Sequence, residues 1–459
     1  MSIIRIILGS AALFFSASVM LGQPWMKSVD KGEKSTDGIS FYEIRNAFND
    51  YWKNKEVTKG KGYKQFRRWE YFMEPRVYPS GNIDNPAYQK AFWEKISDNS
   101  TDKASPMWIG IGPANAPFTI NTTNKTGNGR INCVAFHPDD PDIIYAGAPS
   151  GGFWVSENGG NSWNTTTDQL SSIGVSDIVV DHADPDNVYI ATGDGDHIDT
   201  YGIGIVKSTN GGQTWQPTAL ATEATDFTYF RRILMNPANS NLMFASSNRG
   251  IYRTTNGWAG YSLVAEGNFR DMEFHPANAS VIYATTYSTF DTAGIYRSTN
   301  GGNSFFRIMN GIDLSGGFNR IEIAVTPDEP NAVFALFSDS ETDGFYALYK
   351  SSDQGASWRA VYGRGSNDRN LLGWSSDGSD AGGQGWYDLS LSVSPSDADV
   401  ILVGGVNLWK STNGGESWTL SGLWYRNPGY NYVHADQHML TYSPLNGKLY
   451  CGNDGGVYV

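Results

Sequence analysis

From Trp108 onward, short runs of alternating apolar and polar residues recur seven times, the period-two pattern of strands that bury one face. Each copy opens with one such strand, passes a polar or proline-containing turn, and enters a second strand centred on Tyr145, Tyr189, Phe244, Tyr283, Phe334, Leu402 or Tyr450. A third strand follows at Gly152-Phe153-Trp154, Gly250-Ile251-Tyr252, Gly294-Ile295-Tyr296, Leu348-Tyr349, Leu408-Trp409 and Gly456-Val457-Tyr458, and a tight turn then leads into a fourth. Four short antiparallel strands recurring at irregular intervals of about 40 to 70 residues predict an all-β propeller of about seven visible blades, whose radial repetition protects the sheet edges. A parallel β-helix has shorter coils and lacks these hairpins. Residues 455–459 align with 151–155, so the seventh unit stops after its third strand. This predicts a longer natural chain in which a Ser or Thr follows and opens another turn.

Residues 38–97 obey a different period. Phe41, Ile44, Phe48, Tyr51 and Trp52 recur at helical spacing, and a basic run follows at Lys59, Lys61, Lys64, Arg67 and Arg68, which reads as a solvated face or a contact with the acidic propeller rather than a nucleic-acid site. At the N-terminus, Arg5 precedes an apolar stretch through Ile6, Ile7, Leu8, Leu13, Phe14 and Phe15, shorter than the ~20 residues needed to span a bilayer. The expected organisation is a cleaved secretory signal at 1–22, a helical segment at 23–105 and a propeller at 106–459, exported to the medium or the cell surface with no membrane span after signal removal.

A net charge of −13 leaves no broad cationic field, so neither nucleic acid nor an anionic membrane face is an expected partner. With two cysteines, Cys133 and Cys451, the fold rests on packed sheets, and both are expected to be buried thiols.

The turn between third and fourth strands reads Ser156-Glu157-Asn158-Gly159-Gly160-Asn161-Ser162-Trp163 and returns at 208–215, 298–305, 351–358 and 411–418, with a worn copy at 254–261. In each, a hydroxyl and an amide or carboxylate are placed to bond the turn's own backbone, a glycine can take positive φ, and an aromatic ring can pack beneath. The structural set is Ser156, Asn158, Gly160 and Trp163; Ser208, Asn210, Gly212 and Trp215; Ser298, Asn300, Gly302 and Phe305; Ser351, Asp353, Gly355 and Trp358; Ser411, Asn413, Gly415 and Trp418. These SxDxGxxW-like turns resemble the Asp-box, or BNR repeat, of sialidases, sortilin (VPS10-like) luminal domains and xyloglucan-cleaving glycoside hydrolases. The chain is most similar to large secreted propeller proteins of Gram-negative bacteria, on the strings GNGRINCVAFHPDDPDIIYAGAPSGGFW from Gly127, GQGWYDLSLSVSP from Gly383, and VHADQHML followed by GNDGGVY. The resemblance implies the fold; Asp-boxes lie at blade peripheries in enzymes and binding proteins alike, so it leaves activity open.

Candidate chemistry is sparse. Sialidase-like catalysis needs converging arginines, a tyrosine and an acid; Arg130, Arg231, Arg270 and Arg320 stand near first strands, but in different registers, which predicts structural or channel-lining roles. Xyloglucan-cleaving relatives use two aspartates from two propellers, with an acid just before the Gly-Gly of the third strand. Asp454 precedes Gly455-Gly456 one position from that spacing, and Ser150 occupies the matching place in the first unit. Asp194 and Asp196 read as an exposed turn. His434, Asp436 and His438, two residues apart, are expected to share one face of the seventh first strand, bonding structurally across strands and to channel water or, as the alternative, forming a ligand-binding, proton-transferring or metal-binding group. Asp436 and Asp454 are the catalytic candidates, and His434, Asp436, His438 and Arg130 the ligand-binding ones. No cofactor is called for; a divalent metal on the His-Asp-His group is the one alternative. These features favour a non-catalytic binding or adhesion module for glycan or extracellular protein, with a glycoside hydrolase acting on polysaccharide as the alternative.

Overall fold

The computed structural model describes residues 24–25, 40–57, 62–81, 127–288, 293–363 and 368–459. The expected leader, Trp108, Lys59 and Lys61 lie outside them. The chain divides into two compact units, 1–108 and 109–459.

In the first unit, α1 (Phe41–Trp52) and α2 (Tyr63–Val77) realise the helical spacing. Ser40 caps α1 reciprocally: its hydroxyl accepts from the Tyr42 N–H at 3.2 Å, and Glu43 accepts from the Ser40 N–H at 2.9 Å. Phe41, Ile44, Phe48 and Trp52 form its buried stripe, and Phe48 stacks on Phe66 of α2 at 3.8 Å between centroids. Arg67, from the basic run, donates to Glu70 at 2.6 Å and to Asn49, and lies over the Phe48 and Tyr63 rings. Its charge is thus taken up by its own unit.

In the second unit, the described residues form 27 strands in seven sheets, six of four strands and one of three, each in chain order and antiparallel. The first strands are β1 (Cys133–Phe136), β5 (Val175–Val180), β9 (Phe230–Asn236), β13 (Phe269–His275), β17 (Phe318–Val325), β21 (Ser390–Ser394) and β25 (Gln437–Tyr442). Each first strand touches the next, and β25 touches β1, so the seven surround an axis. The ring closes where Ile131 N–H donates to Asn453 O and Asn128 N–H to Gly455 O, both at 3.0 Å, over a cluster of Val134, Ile144 and Tyr450. Cys133 and Cys451 are buried and free, as expected.

The seven second-strand residues named from the sequence all fall on second strands and are at most 6% exposed. They feed cores that lie between blades: one joins Tyr283 and Ile295 to Phe318, Phe337 and Trp358, and another joins Phe334 and Leu348 to Leu391, Ile401 and Trp409. At roughly 25 cal/mol per Å² of apolar area, this face-to-face burial is what holds neighbouring sheets together.

The six repeated turns are built alike. In the first, Ser156 Oγ donates to Asn158 Oδ1 at 3.0 Å and accepts from Gly160 N–H at 2.8 Å, while Asn158 Oδ1 accepts from Ser162 N–H at 2.9 Å. The same bonds recur at Ser208, Thr254, Ser298, Ser351 and Ser411. Gly212 shows why a glycine is needed: its φ is +85°, and a Cβ there would meet the Phe153 ring of the preceding blade at 2.7 Å.

Strand direction alternates within a blade, so the loops from second to third strand and from one blade to the next share one end of the channel. The turns described above lie at the opposite end.

Candidate active site

The shared end gathers residues from all seven blades. The loop between β6 (Asn187–Thr192) and β7 (Gly204–Thr209) carries Asp194 and Asp196; the connection into β21 carries Gln384, Tyr387 and Asp388; that into β25 carries His434 and Asp436; and the turn between β26 (Leu449–Asn453) and β27 (Gly456–Tyr458) carries Asp454. Arg130 precedes β1, and Arg231, Arg270 and Arg320 sit near the starts of β9, β13 and β17.

His438 is the hub. Its side chain is wholly buried, with Nδ1 3.1 Å from Asp196 Oδ2 and Nε2 2.9 Å from Asp454 Oδ1. Burial alone would lower its pKa, but the two carboxylates outweigh that and raise it. Asp196 also takes the guanidinium groups of Arg270 and of Arg320, the latter at 3.2 Å. Its pKa is lowered because these charges overcome its burial. Asp454 accepts from the Tyr387 hydroxyl at 2.8 Å, and Tyr387 in turn accepts from Arg130 at 3.2 Å. Burial works against the Asp454 charge, but His438, Tyr387 and Arg130 hold its pKa low.

Asp436 behaves oppositely. Burial and the neighbouring Asp454 charge raise it to about 6, and its carboxyl accepts from Gln384 Nε2 at 2.6 Å. Behind it, Asp388 is fully buried, receives Gln384 Nε2 at 3.2 Å, and is raised well above the carboxylate range by burial and by Asp436. Two half-buried carboxyls of divergent acidity therefore stand side by side where solvent can reach them. Environments that push neighbouring carboxyls apart in this way suit one to give a proton and the other to carry charge. Around them, Trp386 packs against Tyr387 at 5.5 Å and against His197 at 5.7 Å. Below, a cavity of about 240 Å³ runs past Arg231, Arg270, Arg320 and His438 to Arg232, Asp271, Glu273 and Glu322.

The expected His-Asp-His face is not formed. β25 begins at Gln437, and Asp436 precedes it at φ +68°, which breaks the strand alternation on which the expectation rested. His434 packs against the Gly455 backbone, its Nδ1 3.3 Å from Ala435 O, while His438 faces Asp196 and Asp454. Each ring nitrogen of His438 already has a carboxylate partner. Nor is 194–196 an exposed turn: Asp194 is fully buried, accepting from Arg130 at 2.5 Å, from Asn132, and from the N–H groups of Asp196, His197 and Asp199. Asp194, His197 and Asp199 bring ligand atoms within 4.8 Å of one another, but Asp194 is already saturated by these donors. Arg231, Arg270 and Arg320 line one cavity despite their differing registers, whereas Arg130 pairs with Asp194 and Tyr387. Gln384, Tyr387 and Asp388 were not singled out from sequence, although all three lie in the GQGWYDLSLSVSP string.

No protein-family model matches the chain. Among curated proteins it is similar to a xyloglucanase of Hypocrea jecorina, 23% identical over 373 residues covering 70% of this chain and 42% of that protein, and to xyloglucanase Xgh74A of Acetivibrio thermocellus, 24% identical over 64% of this chain and 38% of that one. Among solved structures it resembles an ancestral GH74 enzyme, with a TM-score of 0.54 and 18% identity over 75% of this chain and 46% of that one. It also resembles the GH74 xyloglucanase of Xanthomonas campestris, with a TM-score of 0.53 and 17% identity over 74% and 53%. The chain spans less than half the length of these curated relatives. The structural likeness is one of fold.

Proposed function

We propose that this propeller is of the glycoside-hydrolase type, directed at a polysaccharide of the xyloglucan class and acting outside the cell, with its chemistry at the channel end that carries Asp436 and Asp454. The observation that carries this is the pair itself: a carboxyl raised to about 6 beside one held ionised, open to solvent and flanked by aromatic rings. Asp436 is the proton donor to a leaving glycosidic oxygen, and Asp454 stabilises positive charge developing at the sugar. The xyloglucanase relatives support the substrate class over the binding module favoured on sequence alone.

Inverting hydrolysis needs a second carboxylate across the sugar, roughly 6.5–9.5 Å from the acid, whereas Asp436 and Asp454 are in hydrogen-bonding contact. That contact, together with exposed Ser150 in the first unit, favours a second reading, a non-catalytic glycan-binding propeller. Reducing-end release from xyloglucan by the purified chain, beside Asp436→Asn and Asp454→Asn, separates them. Release lost in both variants supports hydrolysis; binding without release supports the second reading; neither binding nor release rejects both.

A further inference from the structure

The connection into β21 turns once between Gln384 and Asp388, where the N–H groups of Tyr387 and Asp388 donate to Gln384 O at 2.8 and 3.1 Å. That turn sets the Gln384 amide beside the Asp388 carboxyl. Gln384 Nε2 lies 3.2 Å from Asp388 Oδ2 and 2.6 Å from Asp436 Oδ1, so one nitrogen faces two carboxyls from neighbouring blades. The two carboxyls are also within hydrogen-bonding reach of each other.

Their surroundings differ. Asp436 is half-buried and faces Asp454 and His438 on its other side. Asp388 is wholly buried, and its Oδ1 has no hydrogen-bond partner. Arg320, the cation whose field reaches Asp388, donates instead to Tyr387 O at 2.8 Å, Leu389 O at 3.1 Å and Asp196 at 3.2 Å. A buried carboxylate with an open oxygen and no ion-pair partner is costly to keep charged, so the proton stays on Asp388. A carboxyl held neutral in this way has an O–H to donate, and Asp436 is the acceptor beside it.

We infer that Asp388 is the positioning residue of the acid: it keeps its own proton and donates it in a hydrogen bond to Asp436. The inference rests on the hydrolytic reading above and deepens it, by naming what steadies Asp436 once its proton has gone to the leaving oxygen. The carboxylate left behind is met by the Asp388 O–H and the Gln384 N–H, two neutral donors held on one turn. Hydrogen bonds to an ionised acceptor are the stronger kind, so both tighten as Asp436 gains charge. Two carboxyls in such contact titrate as a pair, with two protons at low pH and one retained when Asp436 has ionised.

Carboxyl stretching bands in the infrared, read on the full chain without substrate, test this. Wild type should keep at pH 8 a protonated-carboxyl band that is lost in Asp388→Asn. The titrating band that disappears in Asp436→Asn reports Asp436. In Asp388→Ala, which removes the donor, its proton affinity should rise roughly tenfold; in Asp388→Asn, whose amide can still donate, it should return toward the wild-type value. The alkaline limb of hydrolysis should move upward with it in Asp388→Ala. The inference is overturned if wild type and Asp388→Asn show the same bands at pH 8. It is equally overturned if the Asp436 proton affinity falls in both variants, as removal of a negative charge would make it. Should Asp388→Ala not fold, the comparison of wild type with Asp388→Asn decides alone. Bands that behave as expected in a chain releasing no reducing ends reject the hydrolytic reading, and with it Asp388's part in hydrolysis, while the shared proton stands.

Discussion

The His438 Nε2 lies 2.9 Å from Asp454 Oδ1 while its Nδ1 lies 3.1 Å from Asp196 Oδ2, so one buried ring joins the second and seventh blades. The charged imidazole is favoured in the fold, since its pKa is raised above the ordinary 6.5. A group with a raised folded pKa contributes stability that is fully present below its unfolded value and is lost as pH rises through the folded one. Wild type should therefore exceed His438→Gln in denaturation midpoint most clearly near pH 6, with the gap narrowing as pH climbs above 6.5. A gap that widens with rising pH would contradict this.

Gly212 and its neighbour Gly211 offer a matched pair in the second-blade turn. Both have positive φ, but a Cβ at Gly212 meets Phe153 at 2.7 Å, whereas at Gly211 the nearest atom is 3.9 Å away. Gly211→Ala should cost about 1 kcal/mol from backbone strain alone, and Gly212→Ala a further ~1–3 kcal/mol from overpacking the blade interface. Urea unfolding of both variants measures the difference.

Asp177 ties the second blade to the third. It accepts from its neighbour Ile178 N–H at 3.0 Å and from Ile233 N–H at 2.9 Å, and Arg232 approaches it at 3.6 Å. Asp177→Ala should cost roughly 3–5 kcal/mol by leaving two buried N–H groups unpaired and weakening the arginine's compensation. Asp177→Asn, which keeps acceptor capacity, should cost less, and chemical denaturation of the two ranks them.

Burial pushes the Cys451 thiol up to about 12 and Cys133 well above its ordinary value. Neither should react with a thiol reagent at pH 8 in the folded protein, and both should react once it is unfolded. Labelling that is fast under native conditions would show that the blade interface opens.

The blades and their turns were legible because their signals are local. Strand alternation closes within a few residues, and each serine-asparagine turn completes its bonds inside eight. The site was not, because ring closure brings together Asp196 and His438, 242 residues apart, and Arg130 and Tyr387, 257 apart. The period-two spacing of His434, Asp436 and His438 builds no shared face, because the left-handed backbone at Asp436 breaks that period. Asp454 could be suspected from the Gly-Gly that follows it, and Tyr387 only from a string shared with similar proteins. The convergence of Arg231, Arg270 and Arg320 is set by first strands starting at a common level, which irregular loop lengths conceal in the sequence.

The central claim is that Asp436 donates a proton beside an ionised Asp454, and the pH dependence of xyloglucan hydrolysis tests it most directly. A group that must be protonated to act loses activity as pH rises through its pKa, so wild-type kcat/KM should fall as pH passes about 6. Asp436→Asn should lower the rate by about 10²–10⁴ and remove that limb while the chain stays folded. Hydrolysis that persists in Asp436→Asn with the same alkaline limb, or a folded wild type that releases no reducing ends at any pH, would contradict the account.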